Sequence, residues 1–173
     1  NWALLGNFYN LLLGINFEGV YDKARESLLQ ARSLNPKNPV PVLNLAILEG
    51  RKGNYEAARA LGEEAARLKP NFTEAFAYLS EIDIQTGNVA RALDTTRAMI
   101  GLEPQNPIRF YQLGVLLIAD RKVDQAAEAF RRALTLDPNY ANAAYMLALI
   151  HGERGETQEA IALLKGVLAL NPD

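Results

Sequence analysis

The chain contains no cysteine among its 173 residues and holds a single histidine, His151. Without cysteine, disulfide bonds and thiolate metal sites are excluded. A lone histidine also lacks the partners of a nucleophilic triad, and only Glu153 and Glu156 lie near it in sequence as further metal ligands. We therefore interpret His151 as a packing residue that makes one hydrogen bond. We predict no metal site and no cofactor.

No charge of one sign dominates the chain, and no long apolar run occurs in it. Lys and Arg number 18 and Asp and Glu number 20, for a net charge of −2. A nucleic-acid binder needs a basic face, so this class is not expected. No run approaches the about 18 apolar residues of a membrane span, so we predict no direct membrane insertion. The chain starts at Asn1 and has no recognisable signal peptide, so we expect a fragment or a processed product.

The prolines of the chain are few in number and regular in their spacing. The chain has eight prolines, of which five recur at one constant interval: Pro36, Pro70, Pro104, Pro138 and Pro172. A period of about 34 residues is typical of stacked copies of one helix–turn–helix unit. Other residue types recur with the same period, and we call each set of equivalent positions in the repeats a column. They are alanines (Ala24, Ala58, Ala92, Ala126, Ala160), two sets of leucines (Leu34, Leu68, Leu102, Leu136, Leu170 and Leu45, Leu79, Leu113, Leu147) and small residues (Ala46, Ser80, Gly114, Ala148).

Each column has a physical interpretation. The leucines form the apolar stripe of amphipathic helices, and the alanines and small residues lie where two helices cross closely. Glycines end the first helix in a left-handed conformation, at Gly19, Gly53, Gly87 and Gly155, with Arg121 as the exception. The prolines close the second helix, and Asn38 and Asn106, each followed by proline, are predicted N-caps.

These signals predict two helices in each unit. First helices are predicted over residues 39–52, 73–86, 107–120 and 141–154. Second helices are predicted over residues 22–34, 55–68, 89–102, 123–136 and 157–170.

Two stretches carry a family motif. Trp2, Leu5, Gly6 and Tyr9 have the spacing W-x2-L-G-x2-Y. A later unit begins the same motif with Phe in place of Trp, at Phe110, Leu113 and Gly114. The family motif continues with alanine, an aromatic or apolar residue, alanine and proline, and this unit has them as Ala126, Phe130, Ala133 and Pro138. The chain resembles the tetratricopeptide repeat family over essentially its whole length. The resemblance implies an all-α, right-handed superhelical solenoid of five helix–turn–helix repeats. It implies a single domain over 1–173, with repeats at about 1–36, 37–70, 71–104, 105–138 and 139–173.

The first repeat departs from the pattern. The stretch from Trp2 to Ala24 is longer than the equivalent stretch from Phe110 to Ala126, so an apolar insertion is predicted within 11–20. It is either a longer helix and turn that covers the edge of the array or a contact site for another domain or subunit. This repeat and the stretch 71–75 also resemble repeat segments of bacterial membrane proteins similar to O-antigen ligases. That likeness would imply a bacterial source and a cell-envelope or extracellular location.

In this family the first helices line a concave face that suits an extended or helical peptide. The candidate groove residues are Leu43, Asn44, Ile47, Tyr78, Glu81, Tyr111, Gln112, Val115, Tyr145 and Leu149. About half of the apolar ones are expected to be core residues instead. Family members that capture acidic C-termini carry Lys, Arg and Asn here, but only Asn44 fits, and Glu74 and Glu81 would repel a carboxylate. We therefore predict an apolar or aromatic partner segment rather than an acidic C-terminus.

Equivalent positions in consecutive units hold two acids, Glu49 and Asp83. They would either form a functional pair, able to bind a cation or to shift each other's pKa, or pair with nearby Arg or Lys, or face water. The chain has no glycine-rich phosphate loop and no nucleophile elbow, so we predict that it is not an enzyme.

The main hypothesis is a non-catalytic scaffold that binds a protein or peptide on its concave face. The alternative is a structural protein that self-associates end to end through its terminal repeats, as oligomers or filaments. The residues proposed for this contact are Leu13, Phe17, Ile161, Leu164 and Leu168.

Overall fold

The computed structural model describes residues 2–6 and 19–170, which form α-helices joined by short turns. Helix α1 is the described stretch 2–6. The following helices are α2 (Val20–Leu34), α3 (Pro39–Arg51), α4 (Tyr55–Leu68), α5 (Thr73–Gln85), α6 (Val89–Leu102), α7 (Pro107–Ala119), α8 (Val123–Leu136), α9 (Ala141–Glu153) and α10 (Thr157–Leu170). The prediction of an all-α array of helix–turn–helix repeats is confirmed.

The predicted helix bounds need two small corrections. Each first helix ends one residue earlier than predicted, as α3 does at Arg51. The next residue, Lys52, donates its backbone N–H to the carbonyl of Glu49 three residues back, so the last turn tightens before the chain leaves the helix. Helix α2 begins at Val20 rather than at residue 22, because the buried Val20 side chain joins the core.

The turn chemistry follows the prediction. Asn38 caps α3 by accepting a hydrogen bond from the backbone N–H of Val40 at 3.0 Å, and Asn106 caps α7 in the same way. The turn glycines have positive φ, as at Gly53 with 83°. Arg121 stands where the other turns have glycine and takes the same left-handed conformation, with φ of 60°.

The chain divides into two compact units, Asn1–Asn88 and Val89–Asp173. In the first unit, α2 packs on α3, α3 on α4 and α4 on α5. Two apolar clusters fill it: Ala24, Leu28, Leu45 and Leu48, and Val42, Leu43, Ala65, Phe72 and Ala75. The prediction of a single domain over 1–173 stays a prediction.

In the second unit α6 packs on α7, α7 on α8, α8 on α9 and α9 on α10. One apolar cluster surrounds Phe130, which is fully buried. A Cβ atom built on Gly114 would stand 2.4 Å from a Phe130 ring carbon, so the ring lies directly against the backbone of α7. The small-residue column therefore has the predicted close-crossing role here.

The same contact recurs at the start of the chain. A Cβ atom built on Gly6 would stand 2.6 Å from Leu28, and Gly6 and Leu28 hold the motif positions of Gly114 and Phe130. Helix α1 is therefore the first helix of the first repeat, as the motif at Trp2 predicts. Residues 11–18 of the predicted insertion lie outside the described ranges.

Candidate binding surfaces

Helices α3 and α5 form a pocket of about 320 Å³ in the first unit. It is lined by Ile47, Gly50, Arg51, Tyr78, Glu81, Ile82 and Gln85. Three of the predicted groove residues, Ile47, Tyr78 and Glu81, therefore meet at one place. The lining combines apolar side chains with both charges.

Tyr78 is partly buried at this pocket and makes a hydrogen bond across it. Its hydroxyl donates a hydrogen bond of 2.8 Å to the backbone carbonyl of Ala46. Burial, and secondarily the nearby charge of Glu81, raises the pKa of Tyr78, so it stays a neutral donor. A Cβ atom on Gly50 would stand 2.2 Å from the Tyr78 hydroxyl, so glycine at this position is what allows α5 to approach α3.

Two other predicted groove residues of this unit are less accessible. Leu43 is buried in the cluster that contains Phe72. Asn44 is partly buried, and its Nδ2 atom is enclosed without a hydrogen-bond partner among the described residues. As groove contacts, both residues stay predictions.

The second unit exposes an uncharged row on α7 and α9. It consists of Ile108, Val115, Tyr145 and Leu149, all exposed large apolar side chains. We refer to these four residues as the apolar row. Gln112 is exposed beside them and accepts a hydrogen bond of 3.1 Å from Arg109.

Tyr111 belongs largely to the core. Its ring lies edge-on to Tyr140, with centroids 5.4 Å apart, and tilted against Phe130 at 5.8 Å. Tyr145, the equivalent residue in α9, is exposed. Two tyrosines predicted for the same role thus have different environments.

The two helices that carry the apolar row, α7 and α9, contain a single lysine or arginine in the sequence, Arg109. Arg109 is the one charged residue of α7 in the sequence, and its guanidinium is engaged with Glu103 at 2.8 Å. Hydrogen bonds from Arg109 and Asn106 lower the pKa of Glu103, which keeps this pair charged. A carboxylate therefore gains little here, whereas an apolar side chain can be buried.

The two acids of the repeat column each pair with an arginine. Asp83 accepts hydrogen bonds from the Nε and Nη2 atoms of Arg59, at 2.8 and 3.4 Å. These bonds outweigh burial and raise the pKa of Arg59. Glu49 lies 3.5 Å from Arg25. In each case the arginine is on the preceding second helix, so the acids act in packing between repeats.

Two further groups donate hydrogen bonds to Glu49. The hydroxyl of Tyr21 and the side-chain amide of Asn54 each donate to its carboxylate at 2.8 Å. Burial would raise the pKa of Glu49, but these two hydrogen bonds and Arg25 outweigh it and lower the pKa. Of the three alternatives left open by the sequence, the geometry matches pairing with arginine.

The other two residues of this column that the structure describes are not acids. They are Leu117, in the core, and His151. His151 is partly buried, and its Nδ1 atom is hydrogen-bonded to a carboxylate oxygen of Glu156. Among the described residues, no group of three potential ligands is placed to hold a metal ion.

The sequence alone did not identify the two arginines that pair with the acids of this column. Arg25 and Arg59 are themselves equivalent, and each precedes its acid by the same interval in the sequence. The sequence therefore contained a signal for the ion pairs, because Arg25 and Arg59 are two members of one column. The next two members of that column, Leu93 and Ala127, are uncharged.

Helix α10 leaves large apolar side chains uncovered. Ile161, Leu164 and Leu168, predicted for self-association, are all exposed, while Leu13 and Phe17 lie outside the described residues. A groove of about 530 Å³ also runs beside α10. It is lined by Leu134, Pro138, Asn139, Ala144, Ala162, Leu163, Gly166, Val167 and Ala169. In the parts of the chain that the structure describes, no helix is long and apolar enough to cross a membrane.

Stacked helical hairpins define the class of α-helical repeat scaffolds. The chain belongs to the tetratricopeptide repeat family: one family model matches residues 18–71 and 111–173, and a second matches 50–113. No curated protein sequence matches the chain.

Solved structures share the fold. The crystal structure of MamA is 21% identical, covers 90% of this chain and 91% of its own, and has a TM-score of 0.75. MamA residues 41 to the end from Desulfovibrio magneticus RS-1 are 20% identical, with 99% and 96% covered and a TM-score of 0.75. YrrB, described as a TPR protein with an unusual peptide-binding site, is 21% identical, with 96% and 84% covered and a TM-score of 0.70.

Proposed function

We propose that this chain is a non-catalytic scaffold that binds a peptide or protein segment on the exposed side of its first helices. The observation that carries the proposal is the apolar row of the second unit, formed by Ile108, Val115, Tyr145 and Leu149. Burying such side chains against a partner gains about 25 cal/mol per Å² of apolar surface. Tyrosine adds a polar tip to a large apolar face, which is why it is enriched at interfaces.

The charge pattern supports an apolar or aromatic segment as the partner. Arg109 is the one charged residue of α7 and is engaged with Glu103. An acidic segment would lose its hydration without gaining a partner cation. Binding should therefore depend weakly on ionic strength, since screening acts on exposed charges. The peptide site named for YrrB, a protein of the same fold, supports a peptide as the class of partner.

A displayed library of random peptides, selected against the whole chain, tests this function. We expect the selected peptides to be apolar or aromatic. Their affinity should fall about tenfold, or about 1.4 kcal/mol, in Leu149→Ser and in Tyr145→Ser. Leu34→Ser is the matched control, because Leu34 is an exposed leucine on a second helix, at the end of α2. Tyr111 is avoided because its ring packs in the core.

Selected peptides that are predominantly acidic, and that dissociate as salt rises from about 0.05 to 0.5 M, would contradict this proposal. So would equal affinities of the Leu149→Ser and Leu34→Ser variants for apolar peptides. Either outcome removes the apolar row from the binding surface.

A second function, self-association as a structural protein, is favoured by a different observation. Helix α10 exposes Ile161, Leu164 and Leu168, which together form an apolar face. A helix that is apolar on most sides is normally buried. The weight-average mass of the chain in sedimentation equilibrium, measured as concentration rises, tests this function, and a strictly monomeric chain would contradict it.

A further inference from the structure

The pocket between α3 and α5 differs in chemistry from the apolar row. Tyr78, Glu81 and Gln85 line it from one face of α5, because residues three and four apart lie on the same side of a helix. Each of these side chains carries an oxygen that can accept a hydrogen bond. Ile47 and Ile82 add apolar side chains to the lining. The pocket therefore combines hydrogen-bond acceptors with apolar surface.

Glu81 supplies the charged acceptor of this pocket. In the part of the chain that the structure describes, its carboxylate makes no hydrogen bond and no ion pair. The buried acids Glu49 and Asp83 differ from it, because each is held by an arginine. Glu81 is exposed, so a ligand can reach it. A carboxylate beside apolar side chains suits a positively charged group on an apolar stem, as lysine and arginine have.

Two neutral acceptors lie in the same lining. The Tyr78 hydroxyl donates its hydrogen to the Ala46 carbonyl, so its oxygen can only accept from a ligand. Gln85 donates from its Nε2 atom to the hydroxyl of Tyr55 at 2.9 Å, which leaves its Oε1 atom as an acceptor. Ammonium and guanidinium groups have hydrogen-bond donors and no acceptor. The three acceptors therefore match a cationic group.

Arg51 also lines the pocket and carries the opposite charge. Burial is the main cause of the raised pKa of Tyr78, and of the two nearby charges Glu81 raises that pKa more than Arg51 lowers it. The carboxylate therefore outweighs the guanidinium at the Tyr78 hydroxyl. Helix α5 has no lysine or arginine in its sequence, and it holds a second exposed acid, Glu74. The α5 side of the pocket is thus acidic.

The acid is particular to this helix. The residues equivalent to Glu81 in α3, α7 and α9 are Ile47, Val115 and Leu149, all uncharged. Two of them, Val115 and Leu149, belong to the apolar row. One column of the repeat therefore presents an acid in the first unit and apolar side chains in the second.

We propose that the pocket between α3 and α5 binds a lysine or arginine side chain of a peptide segment. The cationic head contacts the carboxylate of Glu81, and the aliphatic stem packs against Ile47 and Ile82. The oxygens of Tyr78 and Gln85 accept further hydrogen bonds from the head. This inference goes beyond the proposed function, because it concerns another surface and another ligand chemistry. The two can therefore fail separately.

Three alanine pentapeptides, capped at both ends, probe the pocket. They carry arginine, norleucine or glutamate at the central position, so that the norleucine peptide keeps an apolar stem and lacks the charge. Each is titrated into the whole chain labelled with ¹⁵N, and amide chemical shifts give the affinity. We expect the arginine peptide to shift amides of α3 and α5. The norleucine and glutamate peptides should bind at least about tenfold more weakly.

Variants of the charged residues locate the contact. Glu81→Gln should weaken binding of the arginine peptide about tenfold, because it removes the charge and keeps the shape. Glu74→Gln is the matched control, since Glu74 is an exposed acid of the same helix outside the pocket lining, and its effect should stay within about twofold. Arg51→Gln should strengthen binding at least about twofold, because it removes a like charge. Such a gain cannot come from a loss of fold, and far-UV circular dichroism checks the other variants.

Three results would overturn the inference. They are an arginine peptide that leaves the amides of α3 and α5 unshifted, equal affinity for the norleucine peptide, and equal weakening by Glu81→Gln and Glu74→Gln. The last result would show a general attraction to an acidic surface. The proposed function survives all three, since apolar peptides and Leu149→Ser test it. Arginine-peptide binding that is lost in Leu149→Ser and kept in Glu81→Gln would also place the ligand outside this pocket.

Discussion

The ion pair between Arg59 and Asp83 permits a quantitative prediction, because the chain contains an apolar version of the same contact. In the next repeat Leu93 and Leu117 replace the pair, and both lie in the core of the second unit. Replacing a buried ion pair by apolar residues is often neutral for stability, whereas removing one partner is costly. We therefore expect the two leucines to be tolerated together but not singly.

The magnitudes follow from burial. The Asp83 side chain is 1% exposed, so Arg59→Leu leaves an enclosed carboxylate without its guanidinium and should cost about 3–5 kcal/mol. Asp83→Leu should cost less, about 1–3 kcal/mol, because Arg59 keeps its ion pair with Glu63 and is 18% exposed. The double variant should lie within about 1 kcal/mol of wild type.

Urea unfolding followed by far-UV circular dichroism measures these free energies, and a double-mutant cycle extracts the coupling between the two residues. We expect a coupling of at least about 2 kcal/mol. The pair of Arg25 and Glu49 is the internal control. Arg25 is 51% exposed and 3.5 Å from the carboxylate, so this coupling should not exceed about 1 kcal/mol. Single effects of Arg59→Leu and Asp83→Leu that add within about 0.5 kcal/mol would refute the reasoning.

Three further predictions can be checked by the same denaturation assay. Gly114→Ala should destabilise by about 1–3 kcal/mol because its Cβ would collide with the Phe130 ring, whereas Gly166→Ala, with nothing within 4 Å, should stabilise by about 0.5–1 kcal/mol. A destabilising Gly166→Ala would contradict this contrast. Arg121→Gly should stabilise by about 1 kcal/mol because Arg121 has a φ of 60°, and a loss of stability would show that its side chain outweighs the backbone strain. Because the pKa of Glu49 is lower in the folded chain than its ordinary value of 4.5, ionisation of this carboxyl stabilises the fold. This stabilisation is present above pH 4.5 and is lost as the pH falls through the folded-state pKa. The free energy of unfolding should therefore fall more for wild type than for Glu49→Gln between neutral and acid pH. Equal decreases for the two proteins would contradict this prediction.

The local signals of the sequence predicted most of the helices. The second helices from Tyr55 onward have the predicted bounds, because an apolar stripe and a proline two residues beyond the last turn are local signals. The capping roles of Asn38 and Asn106 were likewise readable, since a cap depends on the next two residues.

The candidate surfaces were less predictable, as one column shows. Leu43, Tyr111 and Tyr145 are equivalent residues, yet they are buried, partly buried and exposed, respectively. Tyr111 is covered by the rings of Phe130 and Tyr140, which come from other parts of the chain. The accessibility of a first-helix residue therefore depends on side chains distant in sequence, and a repeat alignment does not report it.

The sequence alone determined the repeat, its helices and its turns, because each follows from periodicity and from the conformational limits of glycine, proline and asparagine. Tertiary structure decided which equivalent residues are core and which are surface. It also decided that Glu49 and Asp83 are held by arginines, and that α1 and α10 keep apolar faces uncovered. The physical reason is that burial and ion pairing are properties of neighbours brought together by helix packing, and these neighbours are set by the three-dimensional fold.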